Sequence, residues 1–392
     1  MRWLGEKPFH TLLLLTEKPA EWAAWQIVPL PLGLAAVAGW LWAWATGEPA
    51  LGWIMALGLL ALALFDWGLL ASLPRWGISF GAVQPPFLAL TMLRWSVALL
   101  ALVPGARWPS PTLIVLAFFQ ILIWALMVYG TLIEPFRLQV TRLEVASDKL
   151  SNPGIPLRIV QLSDLHVERL TRRDRALPEL VAGLAPDLIV LTGDFLNTSY
   201  SEDPRALEEL MVLLAQLHAP AGIYAIWGTI EVDLPELLRP VLEELGIVVL
   251  QDEAIEVSVA GASLWLMGPS CSRDLVADGA MLRNLLAAAP QGAFTLLLYH
   301  TPDLMPQALA LGVDLYLAGH THGGQWRLPG FGALLTSSTH WKRYEAGHYR
   351  EGETHLYVSR GLGMEGFGTP RARFFCPPEV VEILLTGMGR GA

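Results

Sequence analysis

The sequence predicts a chain in two parts: an N-terminal four-helix transmembrane region over about residues 1–135, then an α/β domain over 136–392. Three observations carry this. Apolar residues make up 53% of the 392 and charged ones only 16%, too apolar for an ordinary soluble chain of this length. The apolar excess is concentrated before residue 135. Beyond it, strand-like runs alternate with helical ones, as in a layered α/β fold.

The first twenty residues hold one short apolar stretch, Leu12 to Leu15, closed by Glu17 and Lys18, so no cleavable signal peptide is expected. Four later segments, about 27–46, 51–72, 86–104 and 111–133, each approach the ~20 apolar residues that a helix needs to cross a bilayer. Arg2, Lys7 and Lys18 precede the first, Arg75 follows the second, and Arg137, Arg142 and Lys149 follow the fourth. The other side has only Arg107. This bias places both termini, and with them the C-terminal domain, in the cytoplasm. Asp66 and Arg94 fall inside spans, where a charge marks a functional path or finds a partner. Their depths from the cytoplasmic end nearly match at ~1.5 Å per residue, which predicts a structural ion pair between neighbouring helices.

A net charge of −10 and a pI near 5.4 argue against nucleic-acid binding, which needs a basic face. The two cysteines, Cys271 and Cys376, stand far apart in no CxxC pattern. They neither staple a fold nor build a zinc site.

After the spans, "FRLQVTRLEV" (136–145) alternates like a half-buried strand, with almost no linker before it. "LRIVQLSD" and "DLIVLTGD" read as strands, with a helix between them around 174–184. A helix over 203–217 has Asp203 as its N-cap and Pro204 in its first turn. "GIYAIWG" is a strand, and 235–246 is a helix closed by glycine. Later strands are "IVVL", "SLWLMG", "FTLLLYH", "DLYLAGH" and "HLYVSRG".

Five strand ends carry the chemistry. They deliver Asp164 and His166 ("SDLH"), Asp194 and Asn197 ("TGDFLN"), the turn Gly228-Thr229-Ile230-Glu231, His300 ("LLYHTPD"), and His320 with His322 ("AGHTHGGQ"). Residues at the carboxyl ends of neighbouring strands converge on one crevice. Mixed carboxylate and imidazole donors suit Mn, Fe or Zn better than Ca or Mg. A shared carboxylate holds two ions about 3.5–4 Å apart, and Asp194 is the candidate bridge. His218, His340, His348 and His355 lack this placement and read as structural or surface histidines.

The D-x-H … G-D … H … G-H-x-H series resembles the calcineurin-like metallophosphoesterases. "HTHGGQWRLPG", "HTPD" and "LYVSRGLG" are similar to the membrane-associated branch of YkuE-type bacterial phosphoesterases. The resemblance spans about residues 140–385. It implies a two-sheet β-sandwich flanked by helices, with two divalent ions at the strand ends. One ion would take Asp164, His166, Asp194 and His322; the other would take Asp194, His300, His320 and an asparagine. By the same resemblance Asp164, Asp194 and His320 carry the catalytic roles. Arg360 in "SRGLG", with Arg371 or Arg373, reads either as a phosphate contact or as an ordinary surface charge. The family writes Gly-Asn-His-Asp where this chain has Gly228-Thr229-Ile230-Glu231. The ligating asparagine has become Thr229, now the candidate substrate contact there, and the phosphate-positioning histidine has become Ile230. The second ion is therefore expected to be weak, and catalysis impaired. Glycine and an acid remain, so the turn itself is expected to be kept.

Two readings follow. One is a membrane-anchored, metal-dependent phosphoesterase acting on a phosphoester or pyrophosphate bond, with a lipidic or nucleotide-lipid substrate suited to the nearby bilayer. The other is a catalytically silent relative, binding metal or phosphate as a sensor or scaffold.

Overall fold

The computed structural model describes residues 18–150, 156–259, 261–365 and 371–388. Arg2, Lys7 and the Leu12–Leu15 stretch lie outside the described residues. The chain forms two compact units, one reaching to Leu132 and including Arg371, the other comprising Ile133–Glu365 and the segment from Ala372.

The first unit is helical: α1 (Pro29–Thr46), α2 (Pro49–Ser72), α3 (Gln84–Leu100) and α4 (Pro109–Val128). Each begins with proline in its first turn, where a missing N–H costs nothing. With their flanking turns these make four stretches, 24–46, 49–76, 84–107 and 109–136, long and apolar enough to cross a membrane. Trp40, Leu64, Ile114 and Phe118 are exposed, the reverse of a water-soluble bundle. Small residues let α1 and α2 approach closely: a Cβ on Gly39 would meet the Gly52 carbonyl and the Ala56 methyl, a pattern typical of helix pairs in lipid.

The Asp66–Arg94 pair predicted from matched depth is present between α2 and α3. Arg94 Nε lies 2.6 Å from Asp66 Oδ2, and Nη2 lies 2.9 Å from Oδ1. Arg94 Nη1 also donates to the Gln120 side chain at 3.0 Å and to the Gln120 carbonyl at 3.1 Å. Gln120, on α4, returns a bond to the Arg94 carbonyl. All three side chains are buried, and their mutual bonds remove the cost that each polar group would carry alone.

The second unit opens with β1 (Gln139–Ser147), which starts after a 3₁₀ turn, Glu134–Phe136, built around Pro135. There follow β2 (Leu157–Leu162), α5 (Arg172–Leu184), β3 (Leu188–Leu191), α6 (Pro204–Leu214), β4 (Ile223–Ala225), α7 (Pro235–Glu244) and β5 (Val248–Val249). The second half runs β6 (Glu253–Val259), β7 (Ala262–Gly268), α8 (Leu275–Ala287), β8 (Phe294–Leu298), α9 (Met305–Leu311) and β9 (Leu315–Ala318). It closes with β10 (Arg327–Leu328), β11 (Gly332–Ala333), β12 (Gly347–Glu351), β13 (Thr354–Val358) and β14 (Glu379–Gly387). Sequence caps hold where predicted: Asp203 Oδ1 accepts from the Arg205 and Ala206 amides.

Two six-stranded sheets, β1-β14-β2-β3-β4-β5 and β12-β13-β9-β8-β7-β6, stack face to face. Alternation decides which residues meet between them. Ile159, Val190, Leu266, Leu296, Leu317 and Ile383 point inward into one shared core. The opposite face of the first sheet, with Val160, Ile189 and Leu191, packs on α5, α6 and α7. That of the second, with Leu297, Tyr316 and Leu356, packs on α8 and α9. The result is a four-layer helix–sheet–sheet–helix sandwich.

Candidate metal centre

The loops after β2, β3 and β4 of one sheet meet those after β8 and β9 of the other. Asp164, His166 and His322 offer ligand atoms within 4.8 Å of one another, and so do Asp194, His300 and His320. Ligand atoms about 2.1 Å from a shared ion stand about 3.0–3.4 Å apart. Here His166 Nε2 and His322 Nε2 are separated by 3.0 Å, and His300 Nε2 lies 3.2 Å from both His320 Nδ1 and Asp194 Oδ2. The same Asp194 oxygen is 3.6 Å from His166 Nε2, so it stands between the two groups. Ring nitrogens and carboxylate oxygens aimed at common points repel unless protons or cations separate them. This donor set fits two divalent ions.

Second contacts aim these side chains. The His300 Nδ1–H donates to the Thr192 carbonyl at 2.8 Å, which leaves Nε2 to face Asp194. His166 Nδ1 meets Glu365 Oε2 at 2.8 Å, the carboxylate–imidazole arrangement that orients metal-binding histidines. Ser163 donates to Asp164 Oδ2 at 2.5 Å, and the His320 amide to Oδ1 at 2.9 Å. Glycines make the close approach possible: a Cβ on Gly193 would strike the Gly228 backbone, and one on Gly228 would strike Asp194.

The electrostatics follow from burial and from these pairings. Burial alone would raise Asp194, but the imidazoles of His300, His166 and His320 hold it well below the usual carboxylate range. Burial, with Asp194 adding to it, raises Asp164. Burial opposes charge on His300 and His166, yet Asp194 lifts the first to about 10 and Glu365 with Asp194 lifts the second to about 9. Burial and the neighbouring His300 push His320 down to about 4, and burial with His166 pushes His322 well down.

The turn after β4 departs from the prediction in one respect. Glu231 does not hold it: the side chain is half-exposed and forms a two-pronged ion pair with Arg273, at 2.9 and 2.6 Å. The holder is Asp233, fully buried. Its Oδ2 accepts from the Asp194 and Gly228 amides at 2.8 and 2.7 Å, and its Oδ1 from the Phe195 amide at 2.8 Å. Burial and then Asp194 push Asp233 up to about 7, against the pull of those amides. Thr229 is brought to the centre. Its amide donates to Asp194 Oδ1 at 2.6 Å, and its hydroxyl lies 3.4 Å from Asp194 Oδ2 and 3.5 Å from His300 Nε2. Ile230 is exposed.

The arginines are placed differently from their predicted role. Arg360 Nη2 is engaged by Glu379 at 2.7 Å, with Gln139 and Thr141 nearby. Arg371 belongs with the helical unit, where its guanidinium lies against Gly81. Arg373 is buried and donates to the carbonyls of Arg360, Gly361, Gly363 and Cys376, a clamp on the 360–363 loop whose donors are already committed. Asn197 likewise ties loops together, through the Met364 carbonyl and the Ser199 amide. Of the other histidines, His348 and His355 stack across β12 and β13, and His340 meets the Asp303 carbonyl. Glu365 and Asp233 are the residues that sequence reasoning missed. Asp233 had one available signal, an acid just beyond the glycine turn.

Comparison with known proteins agrees with this geometry. The family model described as calcineurin-like phosphoesterase matches residues 157–324. The metallophosphoesterase YkuE of Bacillus subtilis is 30% identical over 261 residues, covering 66% of this chain and 88% of that protein. The phosphodiesterase YaeI of Escherichia coli is 30% identical over 239 residues, covering 59% of this chain and 82% of that one. The UDP-2,3-diacylglucosamine pyrophosphatase LpxG of Chlamydia trachomatis is 28% identical over 308 residues, covering 64% and 91%. The chain belongs to the calcineurin-like phosphoesterase family.

Proposed function

We propose that the protein is a membrane-anchored, two-metal phosphoesterase of low catalytic power, with its catalytic unit on the cytoplasmic side. The observation that supports it most is the pair of three-ligand groups sharing an Asp194 oxygen. Asp164, His166, Asp194 and His322 would hold one ion, and Asp194, His300 and His320 the other. Manganese, iron or zinc fits their mixed nitrogen and oxygen donors. When bound, such ions supply Lewis-acid neutralisation of the phosphoryl oxygens and lower the pKa of an attacking water.

The remaining roles belong to the chain itself. Asp194 is kept anionic by three imidazoles, so it is ready to join the two sites. Thr229 places a neutral hydroxyl beside Asp194 and His300, a weaker donor for the second ion than the family's asparagine. Ile230 can neither position an anion nor give a proton to a departing oxygen. Asp233 does not replace it, being buried with both oxygens bound to amides. A relative that cleaves a lipid-nucleotide pyrophosphate and four spans in the same chain support a lipidic or nucleotide-lipid substrate.

The test is hydrolysis by the full-length protein in detergent with added Mn²⁺, over a panel of aryl, alkyl and pyrophosphate esters, beside an Asp194→Asn control. Metal-dependent turnover of at least one ester, lost in the control, is expected. The altered turn favours a second reading, a binding-only sensor or scaffold. That reading prevails if metal binds and no ester is cleaved.

A further inference from the structure

The segment after His322 carries an apolar surface that phosphoester chemistry does not use. β10 and β11 form a hairpin closed by Leu328-Pro329-Gly330-Phe331, where the Phe331 amide donates to the Leu328 carbonyl and Gly330 has φ 76°. Proline second and left-handed glycine third make this a type II turn. From the hairpin to the following 3₁₀ turn, Trp326, Leu328, Phe331, Leu334, Leu335 and Trp341 are 38–58% exposed. Isolated exposed apolar residues are ordinary, whereas six within sixteen positions concentrate apolar exposure in one short segment.

The hairpin is held firmly and close to the metal centre. On its other face Arg327 donates to the Gly323 carbonyl at 3.0 Å and to Glu345 at 2.8 Å. The Trp326 indole N–H donates to the Ala372 carbonyl at 3.1 Å. Gly324 has no room for a side chain against Ala333 and the Leu335 carbonyl, which locks the hairpin onto the turn that carries His322. Lys342 lies over the Phe331 ring, 3.4 Å from its centre, and donates to the Phe331 carbonyl.

Exposed tryptophan, leucine and phenylalanine bordered by a lysine is the composition of a surface that settles at a lipid–water interface. The chain also supplies the lipid: β1 begins three residues after the last membrane-length stretch ends at Phe136. We propose that the Trp326–Trp341 segment dips into the interface of the bilayer that holds the helices, so that a lipid phosphoester reaches the metals from the leaflet. The docking stands on the exposed surface; the delivery of substrate rests on the phosphoesterase reading.

The test uses the full-length protein in nanodiscs of phosphatidylcholine and phosphatidylglycerol. Spin labels are placed at Phe331→Cys and Leu335→Cys in a Cys271→Ser background, Cys376 being buried. The reference label is Val276→Cys, on an exposed site of α8. Circular dichroism and melting confirm that each labelled protein is folded. The hairpin labels should be reached by oxygen and shielded from a water-soluble nickel chelate, and the Val276 label the reverse. Hairpin labels as open to the chelate as Val276 would overturn the proposal. So would labels shielded from both reagents, the result of covering by a second copy or another protein. As a second arm, Phe331→Asp with Leu335→Asp should lower turnover of a bilayer-borne acylated phosphodiester at least tenfold and leave bis(p-nitrophenyl) phosphate hydrolysis unchanged. Equal loss on both esters would overturn leaflet delivery. If the labels behave as expected and no ester is cleaved, docking stands and the phosphoesterase reading falls.

Discussion

Asp164, His166, Asp194, His320 and His322 all have positive φ, between 43° and 67°. Left-handed backbone at a residue other than glycine costs on the order of 1–3 kcal/mol. Five such residues in one centre persist because buried neighbours, Asp233 among them, hold the turns. The strain points the side chains at common targets rather than outward. Two predictions belong at this scale. His300 and His166, lifted to about 10 and about 9 chiefly by Asp194 and Glu365 against the effect of burial, are protonated at pH 7 when no metal is bound. A binding ion must displace those protons. Mn²⁺ binding at pH 7 should therefore release up to about two protons, and apparent affinity should rise as pH climbs through about 9 and on to about 10, levelling off only above that. Calorimetric titration in buffers of different ionisation enthalpy measures this; binding without proton release contradicts the assignment. The second prediction concerns Thr229 and Ile230. Thr229→Asn with Ile230→His should raise turnover of alkyl phosphodiesters more than aryl ones, by up to the ~10²–10⁴-fold worth of a general acid. Aryl oxides leave without a proton and gain little. An identical response from both ester classes would show that the turn does not serve the leaving group.

Between elements, the buried Asp66–Arg94–Gln120 cluster joins α2, α3 and α4. Removing one charge from such a pair strands the other, at about 3–5 kcal/mol, whereas replacing both with apolar residues is often near neutral. Asp66→Leu alone should sharply lower the melting temperature of the full-length protein in detergent. Asp66→Leu with Arg94→Leu should recover most of that loss. If the double variant is as unstable as the single, the cluster contributes more than mutual charge compensation. Gln120 keeps two of its bonds only with Arg94 present, so the recovery should be incomplete.

For the whole molecule, the prediction concerns the side of the membrane. Lys18 and Arg75 fall on one side of the spans and Arg107 on the other, which favours a cytoplasmic catalytic unit. A C-terminal reporter that fluoresces only in the cytoplasm should be bright. A reporter active only outside, fused at the same point, should be silent. The reverse pattern would place the second unit on the far side.

Periodic and compositional signals acted locally, so they were legible in the chain: four spans by length and hydropathy, strands by alternation, helix starts by Asp203 and Pro204. The six candidate ligands were legible because each ends an apolar strand. Depth, counted along two helices, sufficed to pair Asp66 with Arg94. What depends on the meeting of distant segments was not legible. Only the family resemblance implied the two stacked sheets that supply the candidate ligands; alternation within a strand does not encode that relation. Glu365 reaches His166 only through the folding of the 359–365 loop, and Gln120 reaches Arg94 only through helix packing. Asp233, rather than Glu231, holds the β4 turn because three buried amides converge on it, and Arg273 draws Glu231 outward. Arg373 is committed to four carbonyls by the path of its own loop. Residue type and spacing fixed which side chains could do chemistry; burial and partnership, set by the packed layers, decided which of them are positioned for it.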